Sequence, residues 1–254
     1  MEQLEFDTAS AQLRLCLSKI PESSDTFPIL ICTFNNPTFL KLMINQIERK
    51  GLGSIIILDS NSTYPEMISS LLGYEKRGIG VLRFRTNVGP RFLLQSALLE
   101  LLPQKFILTD PDLELSVDLG KEHLCDFDMI SQSQRIGKVG CSLSLKDSFN
   151  FNPGKTYLGE SIEKWESKFW KDKVDVGENI LAFSANLDTT FSFYNQKYFS
   201  PAVFLNAIRV DSIRNKDISA RHLPWYLESI VPTEEIEFYM EAAKDAGITS
   251  WGIA

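Results

Sequence analysis

Histidine is nearly absent from this chain, with two in 254 residues, and the four cysteines never approach one another as a C-x-x-C pair. That scarcity excludes the usual zinc clusters and a disulfide framework. Cys16, Cys32, Cys125 and Cys141 are scattered. Cys32 and Cys141 lie inside apolar, strand-like segments, where a free thiol behaves as a small buried hydrophobe. A reducing cytoplasm is the expected location. No apolar run approaches the roughly 18 residues needed to cross a bilayer. The start, Met1-Glu2-Gln3-Leu4-Glu5, has neither the basic flank nor the apolar stretch of a signal peptide. Basic residues are outnumbered, 26 against 33 acidic, for a formal charge of −7. The chain therefore lacks the cationic footprint a nucleic acid demands. A G-x-G-x-x-G turn is also missing after the first strand, which removes a dinucleotide oxidoreductase.

What remains is an ordinary globular composition with a regular rhythm. Pro28–Thr33 reads as a strand. Pro37 to about Lys50 reads as a helix, with Leu40, Ile44 and Ile47 spaced for one face. Ser54–Leu58 is a second strand, and Tyr64–Leu72 a helix with Pro65 in its first turn. Val81–Phe84 and a helix over Pro90–Leu102 follow, then a fourth strand, Lys105–Thr109. Such β-α alternation predicts a mainly parallel sheet covered on both faces. Beyond residue 113 the rhythm changes. Lys138–Leu145 is strand-like, Asp147–Gly159 a polar loop, and Gly159–Lys171 an aromatic helix whose Trp165, Phe169 and Trp170 form a core stripe. Ile180–Phe183 and Thr190–Tyr194 are strands, and Glu234–Ala246 a closing helix. The first twenty residues read as an appended helix. The expected organisation is one domain over residues 1–254, with a ligand-binding half at about 28–113 and a second half at about 114–254.

Polar residues gather at four successive strand ends: Thr33-Phe34-Asn35-Asn36, Asp59-Ser60-Asn61-Ser62, Thr86-Asn87-Val88-Gly89-Pro90-Arg91 and Asp110-Pro111-Asp112. Turns favour such residues as caps, yet strand carboxyl ends are also where open α/β sheets bind ligands. Asp110 and Asp112 are hard oxygen donors that repel each other until a divalent cation lies between them. Asp126-Phe127-Asp128 has the same spacing without a comparable strand before it and serves as an internal control.

The ordered series resembles the GT-A-type glycosyltransferases, especially the large family 2 group. In that group a T-x-N-type segment, an aspartate followed by small polar residues, an N-x-G turn and a D-x-D close successive strands. Leu187–Tyr194 and Arg221–Tyr226 look like segments of some bacterial GT-A enzymes. The resemblance implies a GT-A-type α/β domain with a Rossmann-like sheet and a mixed C-terminal half. It further implies a soluble or peripherally membrane-associated enzyme, in polysaccharide biosynthesis, that moves a sugar from a nucleotide-diphosphate donor to a glycan or glycoconjugate. Mn²⁺ or Mg²⁺ would sit at Asp110 or Asp112, with His222 completing the site. Thr33, Asn35 and Asp59 would line the nucleoside pocket, with Asn87, Arg91, Asp110 and Arg221 toward the diphosphate. Arg91 would be helped by a helix N-terminus. Trp225 and Tyr226 offer an aromatic platform to the acceptor. Asp188 is the candidate general base, with Glu160 and Asp211 as rivals, and His123 is read as surface. No E-D pair before a helix is present, so the base and the stereochemical outcome stay open. Two other readings share the core: a sugar nucleotidyltransferase, whose basic Gly-rich loop after strand one is missing here, and a silent nucleotide- or carbohydrate-binding domain.

Overall fold

The computed structural model describes residues 3–20, 27–154, 156 and 159–245. Four parallel strands form one side of the sheet: β1 (Ile29–Thr33), β2 (Ile55–Asp59), β3 (Gly80–Arg83) and β4 (Lys105–Thr109). Their register sets Thr33 beside Asp59 and Asp59 beside Arg83, so the polar strand ends line up along one edge. The sheet continues through β8 (Ser192–Asn195), antiparallel to both β4 and β6 (Lys138–Cys141). Next comes β9 (Asn206–Ile213), parallel to β6. The antiparallel strands β7 (Ile180–Asn186) and β10 (Lys216–Asp217) pair with β9. Among the described residues these nine strands form one mainly parallel α/β sheet with a mixed far end.

The first strands are apolar throughout because both faces are covered. Ile29, Ile31, Ile55, Ile57 and Ile107 pack beneath α2 (Pro37–Lys50), α3 (Pro65–Lys76) and α5 (Lys121–Gln134). The alternate residues Leu30, Cys32, Ile56, Leu58, Phe106 and Leu108 face α1 (Gln3–Ser18) and the Leu93–Leu99 segment. Each fully buried Ile or Leu contributes about 1.5–3 kcal/mol relative to exposure. The appended N-terminal helix is therefore part of the core, with Leu13 fully buried. Gly80 permits this packing, since a Cβ there would stand 2.9 Å from that of Cys16. Helix α2 stops at Gly51, whose φ of +59° lets its N–H turn back to Glu48.

Several expected elements differ. The helix read over Pro90–Leu102 is broken: α4 spans only Phe92–Gln95, Ser96 is extended, and a 3₁₀ turn follows over Ala97–Leu101. The aromatic helix divides into α6 (Ile162–Glu166) and a 3₁₀ turn over Ser167–Trp170. Its aromatics are half-buried, Trp165 on Phe169 and Trp170 on Phe183. The closing helix α7 covers Thr233–Asp245, and Ala246 lies outside the described residues. His123 is buried, not at the surface. Its Nδ1 accepts from the Gly120 N–H at 2.9 Å and closes the first turn of α5.

A separate two-stranded sheet bears most on the site. β5 (Leu113–Leu115) runs antiparallel to β11 (Ala220–His222), with His222 opposite Leu113. The Leu223 N–H donates to the Asp112 carbonyl at 2.9 Å. A histidine 110 residues downstream is thereby clipped to the acidic turn after β4.

Candidate functional site

A cleft of about 540 Å³ opens at the carboxyl ends of β1 and β4. Thr33, Asn87, Arg91, Asp110, Asp112, Asp188 and His222 all line it, from five separate turns of the chain. Its remaining wall comes from α7. Thr38 donates through its N–H (3.1 Å) and hydroxyl (2.6 Å) to the two Glu235 oxygens, which seats that helix at the start of α2. Tyr239 then lines the cleft, with its ring 6.2 Å from that of Phe34.

Asp110 is tied to the turn between β7 and β8. Its N–H donates to the Thr189 carbonyl (2.7 Å), and its Oδ2 accepts from the Thr189 hydroxyl (2.6 Å). Burial, reinforced by the Asp112 charge, raises its pKa well above the ordinary carboxylate value. Asp112 is 4% exposed. Its Oδ2 lies 3.4 Å from His222 Nε2, while its buried Oδ1 has no hydrogen-bond partner. His222 packs on Trp225 at 4.8 Å between ring centroids, and its buried Nδ1 is likewise unpartnered.

Among the described residues twelve buried side-chain polar atoms have no hydrogen-bond partner, and two of them, Asp112 Oδ1 and His222 Nδ1, occur on neighbouring side chains at the cleft. Carboxylate oxygen with imidazole nitrogen is a donor set that suits Mn²⁺ and accepts Mg²⁺. Among the described residues no group of three or more His, Cys, Asp or Glu side chains is drawn together as a ready cation cage. The control pair is engaged otherwise: Asp126 binds Arg214 at 2.7 Å, and Asp128 binds Lys105 at 2.7 Å.

Asp188 stands at the mouth. Its Oδ1 accepts from Arg91 Nε at 2.9 Å, and its Oδ2 from Nη2 of the same guanidinium. Arg91 precedes a helix of only four residues, so the N-terminal dipole expected to assist it is small. Beneath Asp188 lies Lys138, which the sequence reading passed over. It is fully buried, and its Nζ donates to the main-chain oxygens of Leu187, Asp188 (2.8 Å) and Phe204 (3.4 Å). Burial lowers its pKa to about 7 against the opposing pull of Asp188 and Asp110. A lysine opening a buried strand was the available signal.

Other expected residues lie elsewhere. Asn35 adopts φ +49°, and its side-chain oxygen accepts from the N–H groups of Thr63 and Tyr64, joining two turns behind the cleft. Asp59 is fully buried and accepts from Arg83 Nε (3.0 Å) and the Ser62 N–H. Its neighbour Ser60 is the residue that reaches the cleft. Arg221 faces away, binding Glu114 (2.6 Å) and Asp147 (2.9 Å) and covering the Tyr226 ring. Tyr226 is 7% exposed, donates its hydroxyl to Asp147 and does not line the cleft. Glu160 pairs with Lys164 and Lys168, and Asp211 contacts Ser142 and Lys146. Neither lines the cleft.

The sequence matches no family profile and no curated protein. Some solved structures are similar over part of the chain. Residues 1–349 of S. aureus TarS in complex with UDP share 14% identity at a TM-score of 0.39, over 70% of this chain and 51% of that one. S. aureus TarS itself gives 13% and 0.41, over 87% of this chain and 39% of that one. A Bacillus anthracis protein named as a glucose-1-phosphate thymidylyltransferase, in complex with a sucrose, gives 11% and 0.34, over 52% and 60%. The chain thus spans about half the length of the TarS structures or less. What the cleft can do rests on its own side chains.

Proposed function

We propose that this chain is a GT-A-type, metal-dependent glycosyltransferase that moves a sugar from a nucleotide-diphosphate donor to a hydroxyl of a glycan or glycoconjugate. The observation that carries the reading is the unpartnered, buried Asp112 Oδ1 beside His222, in a cleft that also holds the Arg91 guanidinium and two further carboxylates, Asp110 and Asp188. Asp112 and His222, with Asp110 behind them, would hold Mn²⁺ or Mg²⁺. The ion supplies charge neutralisation for a departing nucleoside diphosphate. Thr33 and Asn87 would line the donor, and Asp59 would act on the base indirectly, by fixing the turn that presents Ser60. Asp188 would take the proton of the acceptor hydroxyl. The half from about residue 114 would shape the acceptor site, with half-buried Trp225 beside it. The UDP complex of TarS makes UDP the first nucleotide to test.

Asp112→Ala should weaken Mn²⁺-dependent UDP binding by at least about tenfold, or 1.4 kcal/mol, in calorimetric titrations. Metal-free UDP binding should change little. Asp128→Ala should cost stability through the loss of Lys105's partner and leave the Mn²⁺ dependence intact. Identical Mn²⁺ dependence in Asp112→Ala and the unmodified protein would remove the metal from the reading.

A further inference from the structure

Resting on the donor-and-base reading above, the contact between Arg91 and Asp188 adds a control to it. The guanidinium and carboxylate meet as two parallel hydrogen bonds, with side chains 48% and 47% exposed. In that geometry both oxygens of the candidate base are engaged. The cation best placed for a diphosphate is meanwhile held by a neighbouring carboxylate.

The two arms of this contact are held unequally. Asp188 hangs from Lys138 through its own main-chain oxygen and that of Leu187. Phe204, whose ring lies 5.5 Å from the Arg91 guanidinium carbon, hangs from the same buried nitrogen. The main chain that carries Asp188 and Phe204 is thus anchored to β6. Arg91 instead follows Gly89, at φ +73°, in an irregular turn with no buried lysine beneath it among the described residues: the Gly89 N–H donates to Asn87 Oδ1 (3.0 Å), the Phe92 N–H to the Gly89 carbonyl (3.4 Å), the Leu94 N–H to the Arg91 carbonyl (3.1 Å) and the Cys32 thiol to the Pro90 carbonyl (3.4 Å). The longer side chain, with the greater rotamer freedom, is that of Arg91, so the contact opens by rotation of the guanidinium away from the carboxylate.

We propose that Arg91 is an exchangeable latch: paired with Asp188 it withholds the base, and paired with the diphosphate of a nucleotide it releases the base. A diphosphate presents more charge than one carboxylate and accepts the same guanidinium fork, so the exchange favours the nucleotide. Donor binding would then precede activation of the acceptor hydroxyl.

The latch makes an unusual demand on binding, because removing a site residue should tighten it. Pyrophosphate and UDP are titrated calorimetrically, without divalent metal and at low salt, into the full chain and its variants. Asp188→Asn should bind both probes about three- to fivefold more tightly, the size of an ion pair half open to water. Arg91→Met should bind both more weakly. In the Arg91→Met background, Asp188→Asn should change affinity by less than about twofold. Unchanged or weaker binding by Asp188→Asn overturns the latch. Equal tightening in the Arg91→Met background also overturns it, since that marks simple relief of negative charge. A chain that binds neither probe even after Mn²⁺ is added overturns the donor reading itself, a distinct result.

Discussion

Asp188→Asn should lower turnover by about 10²-fold or more, the contribution of a positioned general base, while UDP binds at least as tightly as before. The amide keeps the shape of the carboxylate and cannot accept the acceptor's proton. Release of UDP from a nucleotide sugar measures the effect, with donor hydrolysis serving where no acceptor is supplied. Asp188 is the candidate of the three that lines the cleft; Glu160 pairs with Lys164 and Lys168, and Asp211 contacts Ser142 and Lys146, both outside the cleft lining. Turnover within twofold of the unmodified chain would leave the cleft without this base.

The largest stability effect should come from the fully buried pair of Glu166 and Arg209, 2% exposed each. Arg209 also lies over the Phe169 ring at 4.9 Å, so the pair pins the aromatic α6 segment to β9. Burial raises the Glu166 pKa to about 7 and lowers that of Arg209, so desolvation opposes both charges. Glu166→Ala should cost about 3–5 kcal/mol, because it strands a guanidinium in the interior. Chemical denaturation measures it. The double variant Glu166→Leu with Arg209→Met should recover most of the loss, since it removes both charges and keeps the volume. A loss below about 1 kcal/mol in Glu166→Ala would mean that the pair is open to water.

The same pair explains what the sequence concealed. Arg209 and Asp211 both lie buried in β9, and two charges in Ala-Ile-Arg-Val-Asp-Ser-Ile disguise an interior strand. In β1, β2 and β4, by contrast, every apolar residue is covered from one face or the other, so the runs and their boundaries were legible. Helix α5 was missed because its buried face includes His123, Asp126 and Ser131. The Pro90–Leu102 segment carries enough leucine for a helix, but extended Ser96 divides it. At the site, residues fixed by strand ends were readable: Thr33, Asn87, Asp110 and Asp112 all line the cleft. His222 reaches it through the β5–β11 pairing, which local periodicity cannot reveal. Asn35, Arg221 and Tyr226 lie outside the cleft lining, with polar groups bonded to neighbouring turns that sequence spacing does not reveal. Tyr239 belongs to a helix whose docking depends on Glu235 reaching Thr38, a contact spanning 197 residues. Among the described residues no helix is long and apolar enough to cross a membrane, as the lack of apolar runs led us to expect.

The most direct test is thermal unfolding of the unmodified chain with UDP, in Mn²⁺ and in chelator. At about 100 times its dissociation constant, a bound nucleotide stabilises by roughly 2.7 kcal/mol, a rise of roughly 5–10 °C for a domain of this size. The expected result is a shift of that order with UDP and Mn²⁺ together, a smaller one with UDP in chelator, and little with Mn²⁺ alone. No shift with UDP or with any other nucleoside diphosphate, metal present, would contradict a donor site in this cleft.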